Sequence, residues 1–244
     1  LAGIQSEKID SFLNTMKHAQ DSEIFRSCKE YLLGHQDIFE RVTAEDIESI
    51  SGEICNSVTI STLHGCPPQE IEKIAMYLIT EKGFHTFIKC NPTLLGYEYA
   101  RKTMDDMGYD YVAFGDFHFK DDLQYEDAVP MLTRLMKVCE ERNLEFGVKI
   151  TNTFPVDVMQ NELPSKEMYM SGKSLYPLSI SLAAKLTEEF VGKLRISYSG
   201  GADFHNIKEI VDAGIWPVTV ATTLLKPGGY DRMAQMASLL EEEN

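Results

Sequence analysis

The chain has 244 residues, 43% of them hydrophobic, and its 38 acidic against 23 basic side chains leave a formal charge of -15. That length suits one α/β barrel as well as two small domains, with a single domain as the expectation. The acidic balance excludes nucleic acid and anionic membrane surfaces as partners, no apolar run nears the roughly 20 residues of a membrane span, and nothing at the start reads as a signal peptide, so a soluble, cytoplasmic protein is expected.

Residues 1–56 read as a helical, polar segment without any β-rich run. The chain begins at Leu1, with no initiator methionine, which reads as a piece of a longer protein. From residue 57 to 244 the rhythm changes to that of a barrel domain. Strand-length apolar runs lie at 57 to 62, 85 to 90, 109 to 115, 145 to 151, 194 to 199 and 216 to 222, with helical patterns between them. The clearest helix follows Pro67-Pro68, where Ile71, Ile74, Ala75, Leu78 and Ile79 form one stripe and Gly83 sits at the C-terminal cap position. Further stripes run through Val129, Leu132, Leu135 and Met136, and through Ile207, Ile210 and Val211 before Gly214.

This alternation requires parallel strands joined by right-handed crossovers, and continuous apolar strands imply helices covering the sheet. A doubly wound sheet carries its phosphate glycines after the first strand, whereas a β/α barrel carries them after the last two. Here Gly200-Gly201 follows the fifth run in ISYSGGAD. The expected fold is therefore α/β, a TIM (β/α)8-type barrel with about six βα units visible. Its first two strands are absent or hidden in the N-terminal region.

Barrel chemistry sits at the C-terminal strand ends. These ends offer Thr62, His64, Gly65 and Cys66; Lys89, Cys90, Asn91, Pro92 and Thr93; Gly115, Asp116 and His118; Lys149, Thr151, Asn152 and Thr153; Ser199, Gly200 and Gly201; and Ala221, Thr222 and Thr223. Consecutive glycines let main-chain amides approach a ligand, and a helix starting near Phe204 adds a positive dipole, a pairing that suits phosphate. A tight turn is the alternative for Gly-Gly. The loop between Asn152 and Tyr176 is too long for an ordinary crossover and reads as a lid or an interface element.

Cys28, Cys55, Cys66, Cys90 and Cys139 are scattered without a CxxC pair, neither a disulfide framework nor a metal ligand set, so no metal is expected. His64, Cys66, Cys90 and His118 lack ligand spacing. Lys89 and Lys149 also admit a Schiff-base aldolase reading. His64 and His118 are open between catalytic and structural roles, and Cys66 between a reactive thiol and a packed one.

VKITNTF, MSGKSLYPLSISLAAKL, RISYSGGADFHNIKEIVDAG and VTVATTLL, in that order, resemble the C-terminal half of the dihydroorotate and dihydropyrimidine dehydrogenase flavin barrels. VTISTLHGCPPQEIEKIAMYL, followed by HTFIKCNPT, is similar to the preceding strand–helix–strand. With STLHGCPP and YDYVAFGDFHFKDDLQY, the chain more closely resembles the flavin-barrel segment of the selenate reductase subunit family, flavin and iron–sulfur oxidoreductases related to dihydropyrimidine dehydrogenase.

The resemblance implies an FMN-binding barrel domain of a larger oxidoreductase, passing electrons between flavin and a small-molecule substrate. Iron–sulfur centres and FAD would belong to other parts of the parent chain, and other domains or subunits of that oxidoreductase would be partners. On the same basis Gly200, Gly201, Ala221 and Thr222 hold the phosphate, with alanine at Ala221 where the family has glycine, and Gly172 and Asn152 contact the flavin. The family's flavin-facing lysine falls at Phe114 or Gly115, leaving Lys89 or Lys149 to reach the ring from neighbouring strands. Its proton-transfer residue falls at Asn91, whose amide does not titrate, with Cys90 adjacent. Asn91, Cys90 and Lys89 are thus the candidate catalytic positions, and these departures leave as an alternative a degenerate, non-catalytic barrel serving as scaffold or subunit interface.

Overall fold

The computed structural model describes residues 1–61 and 64–241. Thr62, grouped above with a strand end, lies outside them. Three helices come first: α1 (Glu7–Lys17), α2 (Glu23–Gly34) and α3 (Ala44–Ser49). Ser22 caps α2 by accepting the Phe25 amide, and Thr43 with Asp46 forms a reciprocal capping box on α3. α1 is fixed to the rest of the chain by Leu13, packed with Leu78 and Phe84, and by Lys17 Nζ, which donates to the Lys82 and Gly83 carbonyls at 3.0 Å.

The barrel part then runs β1 (Ser57–Ser61), α4 (Pro68–Thr80), β2 (His85–Cys90), α5 (Tyr97–Asp106), α6 (Phe117–Asp121), α7 (Tyr125–Glu141) and β3 (Phe146–Ile150). An antiparallel hairpin of β4 (Phe154–Asp157) and β5 (Glu167–Met170) follows, then α8 (Tyr176–Glu189), β6 (Arg195–Tyr198), α9 (Ile207–Asp212) and α10 (Asp231–Glu241). The main sheet is parallel in the order β1-β2-β3-β6, an open arc of a barrel, and a single bridge from Tyr198 to Val218 extends it. Among the described residues no strand precedes β1.

Register divides the sheet into two unlike faces, because side chains alternate along each strand. Ile88, Cys90, Val148, Ile150, Ile196 and Tyr198 are buried under the helices. Ile71, Ala75, Leu132, Leu135, Leu182 and Leu186 come from α4, α7 and α8 to meet them, and each such leucine stabilises the fold by about 1.5–3 kcal/mol relative to exposure. On the other face Ser61, Lys89, Lys149 and Ser197 stand in one row across four strands. β1 and β2 therefore alternate, where continuous apolar strands were expected. Helices cover one face of the arc, and the other carries this polar row with Phe87 beside it.

Two expected strands are corrected. The run 109 to 115 is not a strand, and β2 pairs directly with β3. Its carbonyls are taken elsewhere: Arg101 donates to the Tyr109 and Val112 oxygens at 3.1 and 2.6 Å, and the Asp157 amide donates to Ala113 at 2.8 Å. The run 216 to 222 shrinks to one bridge, since Pro217 has no N–H to extend the ladder. Among the described residues no helix is long and apolar enough to cross a membrane.

Candidate functional site

The end of β6 is pinned before it opens. The Ser199 amide donates to the Ile150 carbonyl at 2.6 Å, and the buried Tyr198 hydroxyl donates to the Gly200 carbonyl at 2.8 Å. A Cβ on Gly200 would stand 2.1 Å from Ser179 Oγ, and one on Gly201, at φ +85, would stand 2.0 Å from the Gly172 carbonyl oxygen. Gly172, at φ +68, is itself 2.9 Å from Thr222 Cγ2 by the same measure. The glycines are thus required by contact between three loops and α8 rather than by direct approach to a ligand.

This packing leaves an edge of donors. Asn206 Nδ2 ties down the Gly201 carbonyl at 3.2 Å, and Thr223 Oγ1 the Ala202 carbonyl at 2.8 Å. Among the described residues, the amides of Gly201, Ala202, Thr222 and Thr223 have no hydrogen-bond acceptor within the protein. All four residues line one cavity of about 270 Å³. The helix expected near Phe204 starts only at Ile207 and has 6 residues, with the Asp203 amide already bonded to Asn206 Oδ1 at 2.8 Å. Its dipole adds little here, and the donors are those of the loops.

Lys89 and Lys149 line the same cavity with Thr151, Ser171 and Ser199, where the Thr151 hydroxyl is shared with Ser179 at 2.8 Å and the Ser199 hydroxyl donates to the Thr151 carbonyl at 3.1 Å. Among the described residues no carboxylate lines it. Burial holds the Lys89 ammonium below the usual lysine range, and burial together with the charge of Lys89 does the same for Lys149. A negative group entering the cavity would relieve both effects.

Of the residues singled out in the sequence, Lys89, Lys149, Gly172, Gly201, Ala221 and Thr222 come together around this cavity. Gly200 lies behind it against Ser179. Cys90 does not reach it: the side chain is on the helix-covered face, 2% exposed, and burial pushes its thiol up to about 12. A thiolate nucleophile or acid is therefore not provided there.

Asn91 and Asn152 sit in a polar cluster beside the cavity. Asn152 Nδ2 donates to Asn91 Oδ1 at 2.6 Å, and Asn91 Nδ2 donates to Asp122 Oδ2 at 3.0 Å. Asp122 also accepts from Thr93 Oγ1 at 2.7 Å, from the Gly65 amide at 3.0 Å and from His64 Nδ1 at 2.8 Å. Sequence reasoning missed Asp122, because nothing in FKDDLQY distinguishes it from the neighbouring Asp121 and its partners are 29 to 58 positions away. Among the described residues no group of three or more His, Cys, Asp or Glu is placed to hold a metal ion.

The long loop resolves into the β4–β5 hairpin followed by a turn through Gly172. Its base is anchored, not hinged: Phe154 is fully buried and packs edge-on against Phe114 and Phe119. Glu167 of β5 bonds His118 at 2.9 Å.

The comparisons with known proteins agree with this architecture. A family model described as "Oxidoreductase YgfK, N-terminal TIM-barrel domain" matches residues 1–244. Two curated proteins, each described as "Putative oxidoreductase YgfK", from Escherichia coli strain K12 and from Escherichia coli O157:H7, are 44% identical over 252 residues. The match covers 99% of this chain but 24% of either relative, so the chain spans about a quarter of the proteins it resembles. With a parallel β/α arc, a late glycine-rich rim and a match along its whole length, this chain belongs to the family of YgfK oxidoreductase N-terminal TIM-barrel domains.

Proposed function

We propose that this domain binds FMN and serves a larger flavin and iron–sulfur oxidoreductase, where electrons pass between the flavin and a small-molecule substrate. One observation carries the reading: in a chain with 38 acidic against 23 basic residues, the cavity at the strand ends is lined by two lysines and by loop amides without an acceptor in the protein, and among the described residues by no carboxylate. Such a chamber favours a dianionic headgroup.

In this reading the Gly201, Ala202, Thr222 and Thr223 amides hold the phosphate, and Ser171 faces the ribityl chain. Lys89 and Lys149, one row deeper, lie where negative charge on a reduced ring would be stabilised. When bound, the flavin supplies N5 as the point of hydride exchange. The residues of the chain orient it and shield it from water, with the anchored hairpin as the wall on the side of Ser171. The remaining three quarters of the relatives' length is where iron–sulfur centres, FAD and the electron source would reside, and the resemblance to selenate reductase subunits supplies no substrate assignment from the residues lining this cavity.

The test is FMN titration of the full-length protein, followed by quenching of flavin fluorescence and by visible absorbance. Binding is expected to fall at least tenfold in Gly201→Val, whose side chain cannot coexist with the Gly172 carbonyl. A colourless full-length protein that takes up no added FMN would overturn the proposal.

A further inference from the structure

Beside the phosphate cup, the loop after β1, the α6 segment and β5 bring together two imidazole–carboxylate pairs. His64 Nδ1 bonds Asp122 at 2.8 Å, and His118 Nε2 bonds Glu167 at 2.9 Å. The two rings are 5.0 Å apart, centroid to centroid, tilted by 60°, and do not bond each other. The Asp122 side chain is 1% exposed. A carboxylate so buried is tolerated when donors surround it, and four protein groups do so here.

We propose that His64 is a proton-transfer residue of this site, its ring fixed by Asp122, and that it delivers or accepts a proton at a carbonyl, imine or activated alkene of a small-molecule substrate.

Three features separate this from a purely structural tie. Asp122 occupies Nδ1, so that Nε2 is left for exchange, and among the described residues Nε2 has no protein partner. His64 lines an open cavity of about 360 Å³ with Ser61, Gly65 and Cys66 and with the apolar Ile60, Ile71 and Ile74. The network then leads through Asn91 to Asn152, the neighbour of the cavity-lining Thr151. A structural tie needs only the bonds to Asp122 and none of these.

The step is a proton transfer only. The Nε2–H bond breaks, a bond from hydrogen to a basic atom of the substrate forms, and His64 is left as neutral imidazole beside an unchanged Asp122 carboxylate. The charged groups facing His64 all favour its protonated form: Asp122 by hydrogen bond and charge, then Glu167 and Asp121 by charge, against the opposing effect of burial. Asp122 is pushed up by burial, but hydrogen bonds from His64, Thr93 and Gly65 outweigh this and hold it below the usual carboxylate range.

The inference rests on the oxidoreductase reading above but not on which cofactor fills the cup, and its experiment is separate. In the full-length protein, carbethoxylation of each histidine by diethyl pyrocarbonate is followed across pH by peptide mass spectrometry, with His18, His35 and His205 as internal references. His64 is expected to react with a midpoint above about 6.5, the free imidazole value. Asp122→Asn is expected to lower that midpoint and to speed the reaction at neutral pH more than threefold. Glu167→Gln, which removes the charge beside His118 and leaves an amide able to bond the same ring, is expected to shift it less in the same direction. His64 that is unreactive at every pH, or a midpoint that moves in neither variant, overturns the assignment. His64→Gln is expected to bind FMN as the parent does. Loss of FMN binding in the parent, with the histidine profile intact, would instead overturn the cofactor proposal alone.

Discussion

Lys89 and Lys149 are direct cross-strand partners on β2 and β3, two ammonium groups side by side in one half-buried row. Like charges placed so are destabilising. In the proposed reading, a dianionic ligand in the cavity offsets that repulsion.

The cost can be measured on Lys149, which has no ion pair among the described residues. Because its folded-state pKa lies below that of the unfolded chain, the unfolded state binds the proton more tightly and the penalty is complete below the folded pKa. It fades as pH rises through that value toward the usual lysine range. Lys149→Met is expected to raise Tm by roughly 2–4 °C at neutral pH, with the gain shrinking in alkaline buffer, and to weaken binding of FMN about tenfold. Calorimetry at pH 7 and pH 10 checks the sign; a lower Tm at pH 7 would count against the account.

Gly201→Ala puts a methyl at a positive φ and against the Gly172 carbonyl. Strain of about 1–2 kcal/mol from the backbone adds to the displacement of the neighbouring loop. A loss of more than about 2 kcal/mol in denaturant unfolding is expected. A near-neutral result would mean that the loops do not touch as described.

Tyr198→Phe removes a buried donor and leaves the Gly200 carbonyl without it. The expected cost is about 1–3 kcal/mol, accompanied by weaker FMN binding, because this bond sets the path of the chain into the rim. Unchanged stability with unchanged binding would assign Tyr198 to packing alone.

Arg101 holds the 109–115 segment by two carbonyls, and its guanidinium lies 4.4 Å from the centre of the Phe114 ring. Arg101→Met is expected to release the segment, read as faster amide exchange at 109–115 while β2 and β3 stay protected. Equal protection in parent and variant would remove Arg101 as the reason that this stretch is not a strand.

The hairpin carries an exposed tip between its strands, with Met159 67% and Leu163 50% exposed. Limited proteolysis is expected to cut there first. Bound FMN is expected to slow that cut, and identical cleavage with and without it would show that the hairpin does not cover the site.

Local pattern alone determined a good part of this protein. The stripe on α4, the extent of β2, the helical start and the late glycines all follow from spacing of three, four or two, which is a property of neighbours in the chain. The polar strand ends were legible for the same reason, since each follows an apolar run.

Tertiary structure decided what those residues face. YDYVAFG has the composition of a strand, yet Arg101 and the hairpin take its carbonyls. Cys90 and Lys89 are adjacent in sequence, and only the pleat sends one under the helices and the other into the cavity. The glycines of ISYSGGAD are needed because Gly172 and Ser179 press on them, contacts made across 21 to 29 positions. Asp122 acquires its meaning from His64, Asn91 and Thr93, none of them close in sequence. Side-chain orientation and long-range pairing depend on which distant segments share one small volume, and no short window of sequence contains that information.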